Sequence, residues 1–541
     1  MAVDISEVPD TPRRRDWSYY AVLLVLVLPM WCCIPLSWLY VFYTLRHSSL
    51  VHLSSARLAL FVAAIFEVAF SVYHYNLVRQ VAKPCIHPAG KLSDLQVAFS
   101  RVLKSGLADL PEDGFDEETT DEPRPGSPAE EIVQLEPDDP RAIDFRNALR
   151  TWFGRVTWSS VTLHPVRQWL YWSMFNSDLP PYDSLPEEHR VAMDDTLDQL
   201  QKRIGKRIPE STSHGAHSPI RPLRFSIDKL NVLWRPFWFY CFVAVTNLYL
   251  KVKYQRDWGF RYGEYDGLEY LIRIPDGWNA SRDPRPILFI HGLGLGLFQY
   301  DVLLRHLHQS FPDRPLLILL QPSISQDIFH PRYLKPMIRE QTGERLARLL
   351  ASLGWADLER DNSSSEEEEI EENLLEKPKP KKGITLLSHS NGTYAHAWML
   401  KDYPHMISRS CFVDPVTFCS WEGDVCYNFV YRPCMTGSEL LLRYFVGTEL
   451  GVANLLTRHF EWSSNTLWYE EIPNARNPSK TLFLLGGKDN IVNAPRVKKY
   501  LTSHGVRKGL WYDPDGVHGQ ALLMGGEGHR RVMEWLKEPE I

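Results

Sequence analysis

A serine set between small residues at the end of an apolar run is where chemistry first becomes legible in this 541-residue chain. Residues 384–387 read Ile-Thr-Leu-Leu, short, apolar and partly β-branched, and bounded by Gly383 and Ser388. That pattern predicts a buried central strand. Asn391 and Gly392 then open a segment with helical spacing. A strand that turns sharply into a helix exposes Ser390 at the tip, where the helix N-terminus favours developing negative charge. Strand and helix backbones nearly touch at such a bend, so small residues are needed two places before and after the tip. Gly392 meets the need, and Ser388 stands where a second glycine is usual, giving S-x-S-x-G.

Three further segments carry the same logic. Residues 286–290 predict a second buried strand, running into His291-Gly292-Leu293-Gly294. Residues 481–485 predict a third, which ends at Gly486-Gly487-Lys488-Asp489, and residues 510–512 a fourth, which leads to His518. Serine, aspartate and histidine thus follow in that order, each just past a strand end. Over residues 265–535 the chain resembles the α/β-hydrolase superfamily. The resemblance implies an α/β-hydrolase fold, a mostly parallel sheet with helices on both faces. It also implies a triad of Ser390 as nucleophile, His518 as base and Asp489 as the acid that orients the ring. Asp414 ends a strand too, and some members place the acid there, so the acid is Asp489 or Asp414. The backbone N–H groups of Asn391 and Leu293 are the expected oxyanion donors, with His291, Gly292, Gly294 and His389 against the substrate.

Other candidates carry less. His308 and Asp313 fit the H-x4-D spacing of some acyltransferases, but they fall at a helix-to-strand turn far from the triad in sequence, which reads as coincidence. His389 and His396 adjoin the nucleophile but face a crowded helix, so packing or pocket lining is the reading rather than base work. The run Gly292-Leu293-Gly294-Leu295-Gly296 lacks the G-x-G-x-x-G spacing, and the eight cysteines have no zinc spacing. No metal or other cofactor is expected. At a net charge of -6 the chain has no general affinity for nucleic acid.

The elements that must position these residues begin with a polar tail, 1–17, closed by Arg13-Arg14-Arg15. Residues 20–43 are almost wholly apolar, longer than the roughly 20 a membrane-spanning helix needs. A second apolar run, 58–73, is interrupted only by Glu67, for which protonation or pairing with another helix is the plain reading. Together 18–78 predict a transmembrane hairpin with both ends on the cytosolic side, since Arg13–Arg15, Arg79, Lys83 and Lys91 flank it. An acidic, disordered linker is expected over 79–142, and a helical accessory region over 143–250. Within the latter, 233–250 is either a helix lying in the membrane interface or a third span. The hydrolase domain is 251–541. It carries a disordered acidic insertion at 359–382, where Ser363–Ser365 are candidate phosphorylation sites. An aromatic helical cap at 415–475 suits an apolar acyl pocket.

The expectation is a membrane-anchored serine esterase or lipase that cleaves hydrophobic esters through an acyl-enzyme. Endoplasmic reticulum or lipid-droplet membranes are the expected location, with the catalytic domain in the cytosol. Two alternatives stay open. One is acyl transfer on the same triad, and the other a catalytically idle binding scaffold.

Overall fold

Eight strands form one sheet in the order β1-β2-β4-β3-β5-β6-β7-β8 in a computed structural model that describes residues 3–47, 53–84, 92–107, 131–210, 220–280, 282–358 and 382–539. The strands are β1 (Arg261–Tyr265), β2 (Leu268–Arg273), β3 (Ile287–Ile290), β4 (Leu316–Leu320), β5 (Ile384–His389), β6 (Ile407–Val413), β7 (Thr481–Gly486) and β8 (Leu510–Asp513). Only β2 runs against its neighbours; from β4 to β8 every pairing is parallel. Every residue of β3, β5 and β7 is buried. Strands covered on both faces read as unbroken apolar runs, which is why these were visible in the sequence. The architecture is the α/β-hydrolase fold.

The helices, in chain order, are α1 (Trp17–His47), α2 (Ser55–Val81), α3 (Leu92–Lys104), α4 (Pro140–Leu149), α5 (Leu163–Phe175), α6 (Glu187–Ile204) and α7 (Phe237–Trp258). The hydrolase domain adds α8 (Leu297–Ser310), α9 (Arg339–Ser352), α10 (Gly392–Asp402), α11 (Gly437–Leu442), α12 (Leu450–Arg458), α13 (Ala494–Ser503) and α14 (Glu527–Lys537). One apolar core joins the sheet to α9, α10 and α13, and a second joins its other face to α7, α8 and α14.

α1 and α2 are long and apolar enough to cross a membrane. A π-helical turn at Leu23–Val27 precedes Pro29, whose missing N–H cannot continue the α ladder. The C-terminal half of α2 is docked on the protein. Glu67 accepts the N–H of Phe237 at 2.8 Å and that of Trp238 at 3.3 Å, capping the N-terminus of α7, and so is paired with a helix. The buried Arg458 donates to the carbonyls of Val81 and Ala82, as well as to those of Phe225, Ser226 and Asp228. The tail is also held: Asp4 pairs with the fully buried Arg146 at 2.8 Å, Asp10 with Arg150 at 2.7 Å, and Arg13 with Glu439 of α11 at 2.5 Å.

The linker expected over 79–142 is shorter than that. α3 lies inside it and buries Leu95, Phe99, Val102 and Leu103, the i, i+4, i+7, i+8 face of an amphipathic helix. The acidic stretch that follows it dominated the composition and hid this period. Residues 108–130 lie outside the described residues, as do 359–381, with Ser363–Ser365 among them. α3 to α6 pack with the cap residues Trp421, Cys426, Trp462 and Trp468 in one cluster, so the accessory region covers the cap. Because this region precedes α7 and the cap follows it, a third span through 233–250 would tear that cluster apart. α7 instead buries Tyr240, Val243, Leu250 and Tyr254 and leaves Trp238, Phe242, Val245, Leu248 and Tyr249 exposed.

Candidate active site

Ser390 sits between β5 and α10 with φ of 52°, the left-handed conformation of a tight strand-to-helix bend. Gly392 is obligatory here, because a Cβ would collide with the Ile290 carbonyl of β3. The departure at Ser388 has a cause that lies further along. Its Oγ bonds His396 Nδ1 at 2.8 Å, and His396 Nε2 meets Ser410 Oγ at 3.0 Å, all buried beneath the bend. A hydroxyl is tolerated in the glycine position because a buried imidazole partners it. His396 is therefore a packing residue, stacked on Phe412.

Ser390 Oγ lies 2.8 Å from His518 Nε2, and His518 Nδ1 lies 2.6 Å from Asp489 Oδ2. The other oxygen of Asp489 accepts the N–H groups of Ile491 and Val492 at 2.7 and 3.0 Å, which fixes the carboxylate. Asp414 is close, but it is not the partner of the ring. Its Oδ1 accepts from Gly486 N at 3.1 Å and its Oδ2 from Gly519 N at 2.6 Å. It thereby ties the end of β7 to the loop that carries His518. Burial raises the Asp414 carboxyl to about 6, against the pull of His518. For His518, burial disfavours the charged ring, yet the carboxylates of Asp489 and Asp414 prevail and lift it to about 9. Asp414, Asp489 and His518 form a trio whose ligand atoms lie within 4.8 Å of one another. Their donors and acceptors are already spent on one another, on Ser390 and on backbone.

The loop after β3 supplies the other half of the site. Gly292 N donates to Tyr300 Oη at 3.0 Å and Gly294 N to the Ile324 carbonyl at 3.0 Å. The N–H groups of Leu293 and Asn391, between and beside them, find no acceptor among the described residues. Two free backbone donors next to Ser390 Oγ are what a developing oxyanion requires. Tyr300 Oη also meets His389 Nδ1 at 2.7 Å, and His389 Nε2 is 4.0 Å from Asp414 Oδ2. Burial, with the neighbouring His518, drives His389 well below the usual histidine range, and burial lowers His291 to about 4. His291, Gly292, Gly294 and His389 were expected against the substrate; none of them lines a cavity at the serine. Gly292 and Gly294 belong to the loop itself, and the two buried rings pack against it, His291 through the Gly292 carbonyl and His389 through Tyr300. His308 is remote, stacked on Trp258 and bonded to Arg273.

A narrow apolar cavity of about 30 Å³ reaches Ser390 beneath the cap, between Leu293, Val416, Phe429 and Phe460. A chamber of about 400 Å³ adjoins it and shares Asn391, Tyr394, Leu456 and Phe460 with it. Tyr300, Tyr394 and Phe460 went unassigned in the sequence because their roles depend on contacts across 66 to 89 residues of chain. Tyr300 alone left a trace, one turn into the helix that follows the His-Gly loop.

No family model matches this sequence, and no curated protein does. Among solved structures the chain is similar to a bacterial membrane phospholipase A described as a virulence factor. That match has 16% identity, 55% of this chain and 92% of that one covered, and a TM-score of 0.31. It is similar to an α/β hydrolase from a Medee basin deep-sea metagenome library, at 16% identity, 52% and 98% coverage and a TM-score of 0.35. A carboxylesterase from Bacillus subtilis is a third, at 12% identity, 56% and 98% coverage and a TM-score of 0.31.

Proposed function

We propose that this chain is a serine hydrolase that cleaves carboxylic esters of lipids or other hydrophobic acyl substrates at a membrane surface. The carrying observation is the chain of contacts from Ser390 Oγ through both nitrogens of His518 to Asp489, beside two unpaired backbone donors. In this reading neutral His518 takes the Ser390 proton at Nε2 as Oγ attacks the ester carbonyl. The N–H groups of Leu293 and Asn391 receive the negative oxygen, and Asp489 stabilises the imidazolium. The imidazolium returns its proton to the leaving alcohol, giving an acyl-enzyme. Water, deprotonated by the same ring, then releases the carboxylic acid and restores Ser390.

The membrane part of the reading rests on the apolar lengths of α1 and α2 and on the exposed aromatic face of α7, beside which they dock. Bilayer-spanning or interfacial segments carry such surfaces, whereas water-facing ones do not. The basic residues that flank the hairpin, Arg13–Arg15 before it and Arg79, Lys83 and Lys91 after it, support a cytosolic catalytic side. A fluorophosphonate probe should label wild-type protein at Ser390, and Ser390→Ala should lose both the label and ester turnover, the latter by roughly 10⁶-fold. Undiminished hydrolysis by Ser390→Ala refutes the reading. Product analysis with an added alcohol separates hydrolysis from acyl transfer.

A further inference from the structure

The cavity that touches Ser390 cannot hold a hydrophobic ester. Binding cavities for small organic ligands run from about 300 to 1,000 Å³, ten times its size or more. The adjoining chamber, at about 400 Å³, falls within that range. Its walls include Trp172, Ser173 and Met174 of α5, Tyr394 and Trp398 of α10, and the cap from Leu455 to Asn465. More than half of its exposed lining is apolar; of its charged residues Glu340 and Glu461 are exposed, Arg339 pairs with Asp402, and Arg458 is buried and bonded to backbone carbonyls. Tyr394 and Phe460 meet edge to face, with centroids 5.9 Å apart, and both line the two cavities. Swinging either ring aside would join the chamber to the space in front of the serine.

We infer that this chamber takes a long hydrocarbon limb of the ester, which makes the accessory region a wall of the substrate site. The inference rests on the ester-hydrolase reading for its chemistry, and the volumes and lining residues locate the limb. A hydrocarbon limb is the ligand class that fits, because it gains from leaving water in proportion to its length and needs no fixed polar partner. The limb belongs either to the acyl group or to the alcohol, and the two have the same chemistry.

Ser173→Trp narrows the chamber from the accessory side and Leu455→Trp from the cap side. With full-length protein in detergent, the kcat/KM ratio of p-nitrophenyl palmitate to p-nitrophenyl acetate should fall at least tenfold in each variant if the acyl limb enters. If the alcohol limb enters, the ratio of hexadecyl acetate to ethyl acetate falls instead. Both ratios unchanged in a folded variant overturn the inference. A fluorescent hexadecyl ether, which cannot be cleaved, should bind wild type and lose at least tenfold in affinity in the variants. That binding survives even if no ester is hydrolysed, so the two readings fail separately. Should both variants misfold, a hexadecyl ether with a terminal diazirine is photolysed on wild type. Crosslinks within 172–176 or 455–465 support the chamber, and their absence overturns it.

Discussion

Asn247 donates from Nδ2 to the Leu295 carbonyl at 2.9 Å while its Oδ1 accepts the N–H of Phe298 at 3.1 Å. One side chain on α7 thus grips the loop that carries Leu293 and the first turn of α8. The neighbours of Asn247 on the other side of α7 are the exposed Leu248 and Tyr249. Asn247→Ala should lower kcat on a water-soluble ester about tenfold and leave KM nearly unchanged, since small misplacements of a catalytic donor are costly. A KM effect with kcat intact would mean that the loop is held by other contacts.

The rate should climb with pH into the alkaline range. The base acts in its neutral form, and His518 is raised to about 9, so the neutral fraction grows as pH rises toward that value. Asp414 contributes to the rise, being largely ionised at neutral pH with a carboxyl near 6. Removing its charge in Asp414→Asn should move the ascending limb of kcat/KM to lower pH. Because the amide offers one acceptor where the carboxylate offered two, the variant should also lose stability by about 1–3 kcal/mol. A pH profile that stays in place would remove Asp414 from the electrostatics of the site.

Restoring the usual glycine at the bend should harm the protein. Ser388→Gly leaves His396 Nδ1 buried without its partner at 2.8 Å, a loss of about 1–3 kcal/mol. The apparent melting temperature should drop, with kcat on soluble esters largely retained. A gain in stability would show that the hydroxyl is only tolerated.

Glu67 joins hairpin to domain, and its removal should loosen that joint. Glu67→Ala leaves the N–H groups of Phe237 and Trp238 without an acceptor, at about 0.5–2 kcal/mol for a lost N-cap. Glu67→Gln keeps one oxygen and should lose less. Limited proteolysis near residues 228–236, faster in the alanine variant than in the glutamine one, is the readout. Equal rates in all three proteins would contradict the capping role.

How much of this was legible in sequence follows from the range of the forces involved. Ser390, Asp489 and His518 each sit just past a strand end, and the strands are apolar runs of a few residues that local pattern reveals. Gly392 is legible because the bend it follows is local, although the carbonyl that demands a glycine there is that of Ile290 on β3. The division of labour between Asp489 and Asp414 was not, because both acids end strands. It is decided by where the N–H groups of Gly486, Gly519, Ile491 and Val492 point. The setting of His389 is hidden for a related reason: adjacency to the serine in sequence does not reveal that its ring turns back toward Tyr300. α3 was lost by reading composition over a long window when the period over 13 residues was helical.

Cutting away the first 84 residues is the obvious way to seek a water-soluble form of this protein, and the buried arginines argue against it. Arg146 would give up Asp4 and Ser6, and Arg458 two of the carbonyl oxygens that cradle it. The first turn of α7 would open as well. The N-terminal hairpin is thus a keystone of the folded body, and solubility is better sought by recoating its exposed apolar side chains than by amputation.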